Sequence, residues 1–421
     1  MKNSRLLTIF VIVFVDLLGF SLILPQLPYY AESFGATQVI IGLLVASYAA
    51  AQLIGAPLLG RQSDRFGRRP VLLLSVAGTI TGFLLLGFAP ALGNFLAPML
   101  GFPSADPLII AILFFSRILA GLTGGNITVA QAYIADVTDE ANRAKGLGLI
   151  GAAFGLGFII GPAAGGLLSQ WGYSVPAFTA AAVAAVNFIA IYFLLPESLT
   201  VERREEISQR KQLPFSIKAL LEVLQRPKVG PLLNVRFFYG LGFSMFTGIF
   251  SLYTQAIGLN PQTTGYILAY VGLISVIIQG VLIGQLTKRF RENWLIITGL
   301  WVMALALLAW GFTSKLWVLL VVILPIGLAG GVLNTVLQSA ISKSVHRDEI
   351  GGILGIAGSL EAFTRVFAPS IGGLLLQSLG LWAPGVFSAV AMGWAVLFAY
   401  RRIILPAAQE KRLAEVEVRH V

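Results

Sequence analysis

The sequence has no cysteine, only two histidines, and charged residues at 11% of its 421 positions. The missing cysteine excludes disulfide frameworks, thiolate metal sites and cysteine nucleophiles together. His346 and His420 both fall in polar segments, so no metal centre or histidine base is expected within the apolar part of the chain. No glycine-rich loop ends in Lys-Ser/Thr, which argues against ATP-driven chemistry. A soluble globular protein carries about 25% charged residues, so that class is excluded. A chain that is 57% hydrophobic is not disordered either. The chain is not expected to be an enzyme.

What is abundant is long apolar runs, at 6–24, 39–59, 71–90, 108–130, 147–168 and 175–195, then at 229–254, 263–285, 294–312, 316–338, 351–375 and 382–405. Each is long enough to cross a bilayer as a helix, the element that satisfies its own backbone in lipid. The formal charge of +10 is a matter of topology. All the basic residues except Lys315, Arg117, Arg236 and Arg365 lie in the tails, at the C-terminal end of the last span or in alternate loops, on one side. By the positive-inside rule that side is cytoplasmic, so both termini are expected there. Twelve spans and a multi-pass protein of the plasma or inner membrane follow, with the lipid bilayer and not nucleic acid as partner. Lys2 and Arg5 precede a run too long for a signal-peptide core, with no small-residue cleavage site, so span 1 is expected to stay as an anchor.

Residues 196–228 form the one long polar interruption. The expected organisation is an N-terminal six-helix bundle over 1–195, a cytoplasmic central loop over 196–228, a C-terminal six-helix bundle over 229–405 and a tail over 406–421. In the loop, Phe215, Ile217, Leu220, Leu221 and Leu224 sit at helical spacing beside Lys218 and Glu222, which suggests a surface-lying helix. The halves resemble each other. Gly121 and Gly124-Gly125 correspond to Gly327 and Gly330-Gly331, and Pro162, Gly165, Gly166 and Gln170 to Pro369, Gly372, Gly373 and Gln377. Such a repeat points to a transporter with its substrate site near the midplane at the repeat interface.

Three motifs stand out. Between spans 2 and 3, Gly60, Asp64, Arg65, Gly67, Arg68 and Arg69 crowd into a short turn. The arginines anchor it, and Asp64 can pair with Arg68 or cap a helix N-terminus, so the turn can act as a latch. In span 4, Arg117 precedes Gly121, Gly124 and Gly125; a cation there costs several kcal/mol unless it faces a cavity or partner. In span 5, Gly148, Gly157, Gly161, Pro162, Gly165 and Gly166 combine close helix approach with a kink.

These motifs resemble those of the major facilitator superfamily, and the span-5 pattern resembles its antiporter motif. Asp16 to Phe20, Pro25 to Pro28, Ser63 to Pro70, Ala132 to Asp139 and Thr287 to Phe290 further resemble the drug/proton antiporters related to the tetracycline exporters. The resemblance implies an all-α membrane protein with the major facilitator fold: twelve transmembrane helices in two six-helix bundles related by pseudo-two-fold symmetry. It implies a monomer that exports small amphipathic molecules in exchange for protons, with the proton gradient as energy source and no bound cofactor or metal. It also places Asp136 with Arg68 in the cytoplasmic gate, Arg143 beside them. Acidic or histidine residues of tetracycline exporters in spans 3, 8 and 9 are replaced by Gly82, Ser275 and Met303, so tetracycline itself does not follow as the substrate.

Asp16 is the expected proton carrier, with Arg117 as the partner that makes its protonation depend on conformation. Proton and a cationic or neutral drug would then compete for a cavity containing Asp16. Glu361 and Arg365 are spaced i, i+4 and are expected to pair on their own helix, while Arg236 is expected to snorkel to the surface. Gln131, Tyr239, Phe243, Phe246, Gln279, Asn334 and Gln338 are candidate cavity residues, an amide and aromatic lining that suits bulky amphipathic compounds. The alternatives are a facilitator or importer of a small metabolite such as a sugar, and a non-transporting membrane scaffold or sensor.

Overall fold

The computed structural model describes residues 2–138, 140–200, 222–346 and 349–406. Most of the surface helix expected around 215–224, and the tail beyond 406, lie outside the described residues. In chain order the helices are α1 (Lys2–Ile23), α2 (Leu27–Glu32), α3 (Gln38–Phe66), α4 (Arg68–Met99), α5 (Asp106–Thr123), α6 (Asn126–Val137), α7 (Glu140–Leu168) and α8 (Ser174–Leu194). They continue as α9 (Val229–Ala256), α10 (Pro261–Ile277), α11 (Ile283–Arg289), α12 (Glu292–Gly311), α13 (Leu316–Lys343), α14 (Ile350–Leu379) and α15 (Trp382–Ala399).

Among the described residues, eleven helical segments are long and apolar enough to cross a membrane. The remaining expected span, 351–375, lies within α14, whose 30 residues suffice in length. It falls outside the apolar set because Glu361, Arg365 and a run of glycines and serines dilute its hydrophobic character. The span expected to run unbroken over 108–130 is two helices, interrupted at Gly124-Gly125.

The chain divides into two compact units. The first is Met1–Leu213 with Gly248–Leu273 and Pro369–Gln377; the second is Pro214–Thr247 with Ile274–Ala368 and Ser378–Val421. In the first unit α1 packs on α7 and α8, α4 on α5 and α8, and α3 on α5. The α3–α5 crossing depends on missing side chains: a Cβ on Gly55 would stand 2.1 Å from the Leu122 carbonyl oxygen, and one on Gly121 would stand 2.4 Å from that of Tyr48. Lipid offers no hydrophobic drive for helix association, so such backbone approach supplies the packing energy. The turn from α3 to α4 pivots on Gly67, whose φ of 105° is a conformation that side-chain-bearing residues rarely adopt.

The later segments in this unit join it by backbone contacts. A Cβ on Gly265 would stand 2.2 Å from the Pro162 carbonyl oxygen. The Ser251 hydroxyl donates to the Leu24 carbonyl at 3.1 Å, and the Tyr29 hydroxyl to that of Leu259 at 2.8 Å. In the second unit α12 packs on α13 and α15. Its core includes Leu300, Met303, Leu307, Leu333, Leu337 and Met392, all without exposed surface.

Candidate functional site

The interruption of the fourth span is built by neighbouring side chains. Where Gly124 and Gly125 break the helix, carbonyls lose their helical partners and need others. The Ser75 hydroxyl on α4 donates to the Thr123 carbonyl, and the Gln52 amide on α3 donates to that of Gly124 at 2.9 Å. A new helix, α6, starts at Asn126. The Asn126 side-chain oxygen accepts from the Ile127 backbone N–H at 2.8 Å, which leaves its amide N–H groups to donate. Asp16 on α1 lies close enough for its carboxylate to interact with the Asn126 side chain. The half-buried carboxylate therefore sits at the positive end of a half-helix inside the membrane region, an arrangement suited to holding negative charge.

Arg117 is not the partner of Asp16 in this structure. Its side chain is 3% exposed. The guanidinium carbon lies 5.7 Å from the ring centroids of both Tyr48 and Phe83, and Nε and Nη2 make no hydrogen bond among the described residues. Aromatic faces receive a cation electrostatically, and this accounts for its position without a carboxylate.

At the α3–α4 turn, Arg68 is the hub. Its Nη1 donates to Ser63 Oγ at 2.7 Å and to Asp64 Oδ1 at 2.5 Å, and its Nε donates to Asp136 Oδ2 at 2.9 Å. The expected Asp64–Arg68–Asp136 cluster is thus assembled, with the arginine 5% exposed. Gly60 approaches Thr128 of α6, Gly67 makes the turn, and Arg65 stands exposed over its neighbour Phe66. Arg69 donates to the Tyr192 carbonyl and lies over that ring. The Arg143 side chain lies outside the described residues.

Glu197, just beyond α8, belongs to this cluster and the sequence reading did not single it out. Its Oε1 accepts from the Arg68 backbone N–H at 2.9 Å and its Oε2 from that of Arg69 at 3.1 Å, capping the N-terminus of α4. The adjacent Ser198 hydroxyl donates to Asp136 Oδ2 at 3.0 Å. A lone acid after the proline that ends span 6 was the only signal.

The span-5 glycines meet α1. A Cβ on Gly161 would collide with Ser21 Oγ at 1.8 Å, one on Gly165 with the Leu22 carbonyl at 1.9 Å, and one on Gly157 would press on Leu17 at 3.1 Å. A Cβ on Gly166 would stand 2.7 Å from the Pro261 carbonyl oxygen, and Pro162 lies inside α7, whereas a Cβ on Gly148 would meet nothing within 4 Å among the described residues.

In the second unit the charged residues pair differently from expectation. Glu361 does not pair with Arg365. Its Oε2 accepts from Arg236 Nη2 at 2.8 Å, and Arg236 also donates to Asn334 Oδ1 at 3.2 Å. Arg236 therefore does not snorkel; it is buried between α13 and α14. A carboxylate and an amide on separate helices, both within reach, outcompete a partner on the same helix. Tyr239, one turn on, donates to the Gly330 carbonyl at 3.2 Å and stacks on Phe243. Phe246, expected in a cavity wall, is fully buried against Trp310, with ring centroids 5.1 Å apart. Gln131, Gln279 and Gln338 are exposed, and Gln279 lies in a π-helical turn following α10.

A helical bundle that carries charged groups inside its membrane spans, joined at the loops by a charge cluster, is the architecture of a multi-pass membrane transporter. The Major Facilitator Superfamily model matches residues 9–290 and 232–420, and the chain belongs to that superfamily, with its all-α fold. It is 30% identical to the tetracycline resistance protein, class C, of Escherichia coli over 416 residues, 96% of each chain. It is 31% identical to multidrug resistance protein 2 of Bacillus subtilis (strain 168), over 91% of this chain and 92% of that one. The crystal structure of a D-xylose-proton symporter superposes with a TM-score of 0.73 at 17% identity, covering 94% of this chain and 97% of that one; this is a likeness of fold.

Proposed function

We propose that the chain is a proton-coupled exporter of small amphipathic compounds, working by alternating access in the cell membrane, with both termini cytoplasmic. The observation that carries the reading is Asp16, a half-buried carboxylate within the first span, beside Asn126 where the fourth span breaks. Such a group can take a proton from the outside and release it inward. Arg117, with two guanidinium nitrogens lacking acceptors, is the cation available to Asp16 in another conformation, where it would favour the ionised form. The Asp64–Arg68–Asp136 cluster serves as the cytoplasmic latch. Curated relatives named for tetracycline and multidrug resistance support export of drug-like compounds. The proton gradient is the energy source, and the monomer the working unit.

The test is proton movement in energised everted vesicles as lipophilic cations, dyes and antibiotics are added in turn, with Asp16→Asn beside the wild type. Substrate-evoked proton release that vanishes in the variant is the expected result. Release that survives the variant removes Asp16 from the coupling, and transport without proton flux makes the chain a facilitator.

A further inference from the structure

Helix α14 runs from Ile350 to Leu379, and Arg365 stands at its middle, about 22 Å from either end at 1.5 Å per residue. A guanidinium at that depth is normally neutralised by a neighbouring carboxylate or faces water. The obvious carboxylate, Glu361, is committed to Arg236 on α9 at 2.8 Å, with Asn334 of α13 completing the group. Arg365 itself is exposed and makes no hydrogen bond or ion pair among the described residues. Glu361, by contrast, keeps 39% of its side chain exposed beside a 9% exposed Arg236 side chain. Gly358, seven residues before Arg365 and on the same face of α14, has nothing within 4 Å of a Cβ position among the described residues. The face that carries the exposed Arg365 therefore stays uncovered about two turns along the helix.

The local charge does not balance: Arg236 and Arg365 against Glu361 leave one positive charge within the spans. A planar guanidinium fork matches a carboxylate or sulfonate through two parallel hydrogen bonds. We propose that Arg365 is a substrate-binding residue that takes an acidic group, a carboxylate or sulfonate, of the transported compound. Arg236, Glu361 and Asn334 form the fixed polar wall beside it. This deepens the exporter reading and rests on it only in taking the ligand to be a transported compound.

The test is equilibrium binding to the purified full-length protein in detergent, without a proton gradient. The probes are two fluorescent acids, dansylglycine and pyrenebutyrate, each beside its neutral methyl ester. Wild type is expected to bind at least one acid about tenfold more tightly than its ester, a difference of about 1.4 kcal/mol. Arg365→Gln should erase that preference and leave ester affinity within about twofold, and Arg365→Lys should restore part of it by charge alone. Because Arg365 has no hydrogen-bond or ion-pair partner among the described residues, both variants should fold and melt like the wild type. An acid preference that persists in Arg365→Gln overturns the proposal. So does a wild-type protein that binds neither acid better than its ester. Loss of proton coupling in vesicles with the acid preference intact would sink antiport and leave this site standing; the reverse result would do the opposite.

Discussion

Arg68 and Asp136 meet at 2.9 Å although 68 residues separate them in the chain. The contact ties the start of α4 to the end of α6, and the same guanidinium also holds Asp64 and Ser63. Three acceptors around one buried fork make this a geometry that a point charge cannot reproduce.

Arg68→Ala is therefore expected to destabilise the protein by about 3 kcal/mol, since it strands Asp136 and Asp64 near each other without their cation. Arg68→Lys should recover less than half of that loss. Thermal unfolding in detergent, followed by tryptophan fluorescence, measures both; thiol-reactive dyes cannot be used on a chain without cysteine. A lysine variant as stable as the wild type would show that charge alone holds the turn.

The span-5 glycines separate into two kinds. Gly165→Ala would drive a methyl group into the Leu22 backbone at 1.9 Å, and backbone cannot swing aside as a side chain can. The expected cost is at least about 1–3 kcal/mol. Gly148→Ala meets open space and should be neutral or stabilising by about 0.5–1 kcal/mol, alanine being the better helix residue. Equal losses at the two positions would mean that Gly148 is packed in a further conformation of the transporter.

The helices were legible in the sequence because membrane spans announce themselves by apolar length, and the α3–α4 cluster because four arginines around one aspartate are conspicuous in so uncharged a chain. The pairing inside the spans was not legible. Periodicity ranks Arg365 as the neighbour of Glu361, but which of two arginines wins depends on how α9, α13 and α14 cross. The break at Gly124-Gly125 was likewise visible as a motif without its meaning, since the groups that stabilise it, Ser75 and Gln52, come from other helices. Asn126 went unnoticed for the same reason. Phe246 shows the converse: a stripe at helical spacing looks alike whether it lines a cavity or, as here, packs on Trp310.

The Arg236–Glu361 pair can be separated from Arg365 by stability alone. Removing either member leaves a charge inside the spans without its counter-ion, so Arg236→Ala and Glu361→Ala should each cost about 3 kcal/mol. The double variant removes both charges together and should cost less than the sum, by about 1–3 kcal/mol of coupling energy. Arg236→Ala also frees Asn334, so its loss should exceed that of Glu361→Ala. The same cycle run with Glu361→Ala and Arg365→Ala should show a clearly smaller coupling, because no hydrogen bond or ion pair joins the two side chains among the described residues. Coupling between Glu361 and Arg365 comparable to that with Arg236 would mean that the carboxylate is shared between the arginines, and the surplus positive charge on α14 would no longer be free to meet a ligand.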